Sequence, residues 1–212
     1  MGLHFRTGCI DEAVDLVKRH HYSRRSPSNI QFIGTLHDEG VLFGDYGKAV
    51  AAVFFCIPPT RWSEDVLELS RLVRADQRVP LSQLIALSCR RLKEMGSDLL
   101  VSFADKTQGH HGGIYQAASW NYAGARDRRM DGLLVDGTFI GGRACNHKYG
   151  TQSPAKVSCI LGREVLPHYD EGKHLYWRAL GPRGEAKARR LGLESLPYPK
   201  PQVQLESETP TV

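Results

Sequence analysis

Apolar positions along the chain follow two rhythms. Ile10, Ala13, Val14 and Val17 recur at helical spacing, which predicts an amphipathic helix over Cys9–His20. Leu81, Leu84, Ile85, Ser88, Leu92 and Met95 keep the same spacing over a longer stretch, with Pro80 at the start and Gly96 after the end. Between them lie short runs of strand type. Gln31–His37 and Val41–Tyr46 flank the turn signal Asp38-Glu39-Gly40, and Ala49–Ile57 is apolar throughout until Pro58-Pro59 stops it. Val66–Val73 alternates in part, with Leu67 and Leu69 on one side and Glu68, Ser70 and Arg71 elsewhere. Leu99–Ala104 reads as a buried strand. The aromatic, alanine-rich Ile114–Tyr122 reads as a helix closed at Gly124. Asp136-Gly137 joins two short strands as a hairpin turn, and Ser153-Pro154 starts a short helix to Leu161. Glu164–Asp170 reads as a connection and His174–Leu180 as the last strand.

This order predicts an α/β domain with a mixed, mostly antiparallel sheet and helices on both faces. One domain over 1–181 is expected, then a basic segment and a Pro-rich disordered tail over 182–212. The 212 residues suffice for one good core. No apolar run reaches the ~20 residues needed to span a bilayer, and the N-terminus lacks a signal-peptide core, so a cytoplasmic protein with no membrane partner is expected. The five cysteines are odd in number and none sits at CxxC spacing, which argues against a disulfide framework or a zinc knuckle. A net charge of +5 permits a polyanionic partner.

Reactive side chains gather in one stretch, Ser102–Gly124. A strand end at Asp105, a turn with Gly109, His110, His111, Gly112 and Gly113, and a helix start with Tyr115 make the usual crevice of an α/β sheet. Trp120, amid alanines, suits the core better than a binding surface. A second polar segment, Lys18–Arg25, carries His21-Tyr22 beside Arg24 and Arg25. It reads equally as a solvated loop or a phosphate-facing rim. The loop Arg74–Pro80 delivers Arg78 to a helix N-terminus, where free N–H groups and the helix dipole favour an anion.

The element order resembles the GNAT acyltransferase fold. There the central strand and the next helix hold the pyrophosphate of acyl-CoA, and the following strand splays away to open the acceptor cleft. Val66–Met95 would be the first unit and Leu99–Tyr122 the second. The usual GNAT phosphate loop carries two glycines; Gln77-Arg78-Val79-Pro80-Leu81-Ser82 has neither. A narrower likeness rests on His21-Tyr22-Ser23, Glu68–Val73 and Ser102–Gly124, covering roughly residues 10–150. These blocks resemble the Mom family of phage DNA-modification proteins. That resemblance implies a GNAT-like fold in the cytoplasm of a bacterial host. It implies conversion of adenine N6 in phage DNA to a carbamoylmethyl derivative, which shields the DNA from restriction.

Adenine N6 is a weak nucleophile, because its lone pair is delocalised into the ring, so a proton acceptor is needed. Asp105 is the expected acceptor, with a helix cap as its competing role. Tyr22, His21 and Tyr115 complete the expected catalytic group. Arg71, Arg78 and Ser82 are expected at an acyl-CoA (acetyl-CoA) or other activated donor. Arg24, Arg25, Lys148 and Tyr149 are expected to contact double-stranded DNA, from which the target adenine must be flipped. Tyr22, Tyr115, Trp120 and Tyr149 offer rings to stack on that base. His21, Tyr22 and Asp105 also offer N and O donors of a kind that suits Fe(II), although no tight His-x-Asp spacing marks them. Two other readings stay open: an ordinary GNAT N-acetyltransferase acting on a small amine or protein, and a basic DNA-binding module without catalysis.

Overall fold

Strand pairing starts one element earlier than the apolar pattern indicates. Leu3–Thr7 (β1) runs antiparallel to Ile30–Glu39 (β2), from Leu3 opposite Asp38 to Thr7 opposite Gly34. The computed structural model describes residues 2–39, 46–59 and 62–199. The expected strand Val41–Tyr46 lies outside them except for Tyr46, which opens β3, Tyr46–Cys56. After it come Leu67–Arg74 (β4), Leu99–Asp105 (β5), Asn121–Arg126 (β6), Met130–Val135 (β7), Thr138–Gly141 (β8), Val165–Tyr169 (β9) and Lys173–Ala179 (β10). The helices are Ile10–His20 (α1), Leu81–Glu94 (α2), Gly113–Ala117 (α3), Gly142–Tyr149 (α4), Pro154–Leu161 (α5) and Pro182–Arg190 (α6).

The main sheet has seven strands in the order β1-β2-β3-β4-β5-β10-β6, antiparallel except for the β4–β5 pair. Helices cover both faces, as expected. β3 shows why its sequence is apolar throughout: side chains alternate across a strand, and here both sides are buried. Ala51, Val53 and Phe55 meet Leu84, Ile85, Cys89 and Leu92 of α2. Ala52, Phe54 and Cys56 meet Ala13, Leu16 and Val17 of α1. Among the described residues no helix is long and apolar enough to cross a membrane.

Three readings of the sequence need correction. The helix expected over Ile114–Tyr122 stops at Ala117. Ser119 takes a positive φ of 58°, and the chain then turns into β6, which pairs with β10. Trp120 is fully buried, so its place is in the core. Gly124 is no helix cap; it sits at φ 97° within β6, where the register with β10 shifts. The expected connection Glu164–Asp170 contains β9, antiparallel to β7. The basic segment after residue 181 is part of the folded unit. Ala188 and Leu193 pack with Leu99, Val101, Leu175 and Trp177, and Lys187 Nζ reaches Asp98 at 3.0 Å. The chain continues along the domain: the Leu196 N–H donates to Tyr122 O, and Tyr198 OH donates to Trp120 O. Residues 200–212 lie outside the described residues.

Between β6 and β10 the chain leaves the main sheet to build a lobe. β8, β7 and β9 form a three-stranded sheet, turned at Asp136 and Gly137 with φ 50° and 76°. α4 and α5 pack on it through a separate core of Leu133, Val135, Cys145, Val157 and Val165. The neck is fastened by Asp170: its N–H donates to Arg129 O, and its Oδ1 accepts from the N–H groups of Arg129 and Gly172, each bond between 2.9 and 3.0 Å.

Candidate active site

The sheet opens where its two parallel strands part. β4 and β5 pair only at Leu67–Leu100, Glu68–Val101 and Leu69–Ser102. Beyond that the strands diverge. Opposite β3 the register of β4 shifts at Ser70, an extra residue of bulge type whose Oγ donates to Cys56 Sγ at 3.1 Å. Ser102 pins the point of divergence. Its Oγ donates to Leu69 O at 2.8 Å, so it must accept from Tyr115 OH, also at 2.8 Å.

A cleft of about 820 Å³ fills the gap. Glu68, Ser70 and Arg71 come from β4, Phe103 and Asp105 from β5, His110, His111 and Tyr115 from the turn and α3, and His21 and Tyr22 from the end of α1. Leu81, at the N-terminus of α2, also lines it. The neck of the lobe supplies Arg126, Asp127, Arg129, Asp170 and Lys173.

The Gly-rich turn is held by packing. Tyr176 OH donates to His111 O at 2.6 Å and accepts from Gln116 Nε2 at 3.2 Å. Gly112 sits at φ 82°, and a Cβ there would overlap the Tyr176 ring. Only glycine meets both demands. Tyr176 in turn packs on Tyr115 and Tyr122, each with ring centroids 5.2 Å away.

Of the side chains expected to be catalytic, the fold brings all four to this cleft. His21 Nδ1 accepts from the Ser23 N–H at 3.1 Å, so the neutral ring carries its proton on Nε2. Burial, then the charges of Arg71 and His110, push its pKa down to about 4. Tyr22 is 56% exposed and lies over His21 at 4.3 Å, with its ring edge-on to His110 at 6.0 Å. Burial of its hydroxyl and the Asp105 charge raise its pKa. Tyr115 is buried and pushed up to about 12, chiefly by burial. Asp105 Oδ1 accepts from the Thr107 N–H at 3.0 Å and so caps the short turn Lys106–Gln108. The cap and a place in the cleft wall therefore coexist in one carboxylate.

The expected donor-site residues divide. Arg71 is in the cleft wall, donating through Nη1 to Ser70 O at 2.6 Å and through Nε to Arg25 O at 3.4 Å. Arg78 points away into an exposed ion pair with Asp76 at 2.5 Å. Ser82 is in the first turn of α2, which carries no acid. The N–H groups of Gln83 and Leu84 donate to Pro80 O at 3.1 and 3.4 Å, which leaves those of Leu81 and Ser82 to suit a phosphate. Arg24 and Arg25 are exposed beside the cleft. Lys148 and Tyr149 are not in its wall; they end α4 in the lobe, with the Lys148 ammonium 5.1 Å from the Tyr149 ring centre.

Glu68 is the residue the sequence reading set aside. Its carboxyl lines the cleft at the last rungs before β4 and β5 separate, and burial raises its pKa against the pull of Lys173, Arg71 and Arg143. The signal was present: an acid inside the apolar run VLELSRLV carries a desolvation penalty that function must justify.

Among the described residues no three His, Cys, Asp or Glu side chains cluster closely enough to hold a metal ion. His21, Tyr22 and Asp105 share the cleft wall, with His21 Nδ1 taken up by the Ser23 N–H.

Solved structures similar to this chain in fold include several described as acetyltransferases. A putative phosphinothricin N-acetyltransferase is 14% identical, with 85% of this chain and 99% of that one covered and a TM-score of 0.50. A probable acetyltransferase from Staphylococcus epidermidis is 10% identical, with 84% and 99% covered and a TM-score of 0.50. A putative GNAT-family acetyltransferase from Desulfovibrio desulfuricans is 11% identical, with 85% and 100% covered and a TM-score of 0.48. These likenesses concern the fold, which is the GNAT-like α/β fold expected from the sequence. Comparison with curated proteins returns no match. The model of the Mom protein family matches residues 3–200, nearly the whole described chain, and the protein belongs to that family.

Proposed function

We propose that this chain is a transferase that modifies the exocyclic N6 of adenine in DNA, with Glu68 as the proton acceptor. The observation that carries the reading is the raised, half-buried Glu68 carboxyl where the sheet splits, lining the same cleft as the rings of Tyr22, His21 and His110. A flat base extruded from a duplex can stack on such a rim. Membership of the Mom family supports DNA as the substrate and a carbamoylmethyl group as the product.

An acyl-CoA donor, as a thioester, would supply an electrophilic carbon. Its phosphates would meet the N–H groups of Leu81 and Ser82 at the start of α2, and the diverging β4 and β5 would take the chain between them. N6 then forms the new N–C bond as one of its protons passes to Glu68, and the C–S bond breaks with departure of the thiolate. The N–H that remains on N6 donates a hydrogen bond to Asp105, whose Oδ2 is left over by the cap on Thr107. His21, neutral with its proton on Nε2, donates a hydrogen bond without adding charge. Transfer from a thioester yields an N6 amide; a carbamoylmethyl product needs instead a donor whose methylene carbon itself bears the leaving group, and the need for a base at N6 is the same.

The test is to express the chain in a bacterium, digest the total DNA and weigh the nucleosides. Deoxyadenosine of increased mass is expected. Unmodified deoxyadenosine, with new acyl groups on protein or small amines, would instead establish an ordinary N-acetyltransferase.

A further inference from the structure

The lobe between β6 and β10 is not needed to complete the main sheet, yet it stands against the cleft. Its neck residues Arg126, Asp127, Arg129, Asp170 and Lys173 form one wall. Its first helix, α4, starts on the same side: Arg143 lies near enough for its charge to act on the Glu68 carboxyl. α4 buries one side, with Cys145 inaccessible to solvent among Leu133, Val135, Val157 and Val165. The opposite side is built for polar contact. Arg143, Asn146 and His147 lie at i, i+3 and i+4, share one face and are exposed, with exposed Lys148 next to them. Between Asp136 and Glu164 the chain has no acid at all, while it carries Arg143, Lys148, Lys156 and Arg163. Arg163 is paired with Asp136; no ion pair joins Arg143, Lys148 or Lys156 to an acid among the described residues.

We propose that the lobe is a DNA-reading module whose helix α4 enters the major groove next to the flipped adenine, with Arg143 and Asn146 on base edges and Lys148 on phosphate. The inference rests on the reading of the cleft as an adenine N6 site. The residue types match the task. Arg pairs bidentately with guanine and Asn with adenine from the major groove, whereas Lys neutralises a phosphate without reading sequence. N6 itself projects into the major groove, so a helix in that groove beside the cleft is on the side from which the target is approached. Because α4 is attached through a neck that also walls the cleft, binding of the groove and placement of the base are one event.

The test uses the full chain and three exposed substitutions, Arg143→Ala, Asn146→Ala and Lys148→Ala, each checked for an unchanged thermal transition. Binding to random-sequence duplex is measured by fluorescence anisotropy across salt concentrations. The sequence context of modified adenines is mapped in DNA from expressing cells. Lys148→Ala is expected to weaken binding to all duplexes alike and to reduce the salt slope by about one unit. Arg143→Ala and Asn146→Ala are expected to lose roughly ten- to hundred-fold discrimination at neighbouring positions of the context. Wild-type context and wild-type salt slope in all three variants would overturn the proposal while leaving N6 modification standing. Equal affinity of wild type for double-stranded RNA, whose major groove is too narrow for a helix, would also overturn it. A wild-type chain that neither binds duplex DNA nor modifies adenine would remove the underlying reading, and this inference with it.

Discussion

Replacing Glu68 by Gln isolates the proton-transfer step with little change of shape. Gln keeps the size and one acceptor oxygen but cannot take a proton at neutral pH. The half-buried carboxyl is raised by desolvation and drawn back by Lys173, Arg71 and Arg143, so in the wild type it ionises above its ordinary value near 4.5. Loss of a positioned base lowers turnover by about 10²- to 10⁴-fold. The pH dependence follows from the sign of the shift. A base must be ionised, so wild-type kcat/KM falls on the acid side as pH drops through the raised Glu68 pKa. In Glu68→Gln the remaining slow rate has no such limb. Stability moves the other way. A carboxyl whose folded pKa is raised favours folding only while protonated, and that contribution is lost as pH rises through the folded value. The Gln variant lacks this loss, so its Tm at neutral pH equals or exceeds that of the wild type. The assays are single-turnover modification of a short duplex across pH, and a thermal melt. A Gln variant with wild-type turnover, or with the acid limb intact, would refute Glu68 as the acceptor. Lost turnover accompanied by a collapsed melting transition would mean that the side chain holds the sheet rather than the proton.

Gly112→Ala combines a positive φ with overlap on Tyr176. It should destabilise by about 2–5 kcal/mol, lowering Tm by roughly 4–20 °C, and an unchanged melt would show that the turn is not fixed as described. Asp105→Ala removes the cap on Thr107 and should cost about 0.5–2 kcal/mol, whereas Asp105→Asn keeps an acceptor for that N–H. Asn should therefore restore the melt but not the modification; full activity in Asn would leave Asp105 with the cap alone. Ser82→Asp places a carboxylate in the acid-free first turn of α2. It should raise helix stability slightly through the dipole and raise KM for an acyl-CoA donor roughly ten-fold by repelling phosphate. An unchanged donor KM would place the phosphates elsewhere.

The central layers were legible because their burial is complete. β3 and β5 are apolar on both sides, and α2 repeats its stripe over fourteen residues, so pattern and packing agree. Elements that bury little left little pattern. β1 is mostly exposed, and α6, with the sequence PRGEAKARR, buries only Gly184 and Ala188. α4 buries Cys145 alone and read as a polar segment. The stretch Ile114–Tyr122 was read as one helix because its aromatics suit either period; pairing with β10 decided for a strand after Ser119. The site was legible where several reactive types fall together, as at His21-Tyr22 and Asp105–Tyr115. It was not legible at Glu68, because alternation puts that side chain only on the side away from Leu67 and Leu69. Only the parting of β4 from β5 turns that position into a cleft wall. Lys148 and Tyr149, expected from residue type at the DNA, stand at the end of α4 in the inserted lobe, a placement that only the fold supplies.

The most direct measurement is tandem mass spectrometry of deoxyadenosine from cells expressing the wild type and, in parallel, Glu68→Gln. In the wild type the added mass should stay with the adenine fragment and be placed on N6 by labelling of that nitrogen. In the Gln variant it should be absent or reduced at least 100-fold. A group on any other atom or nucleoside, or equal modification in both strains, would contradict the assignment of this cleft.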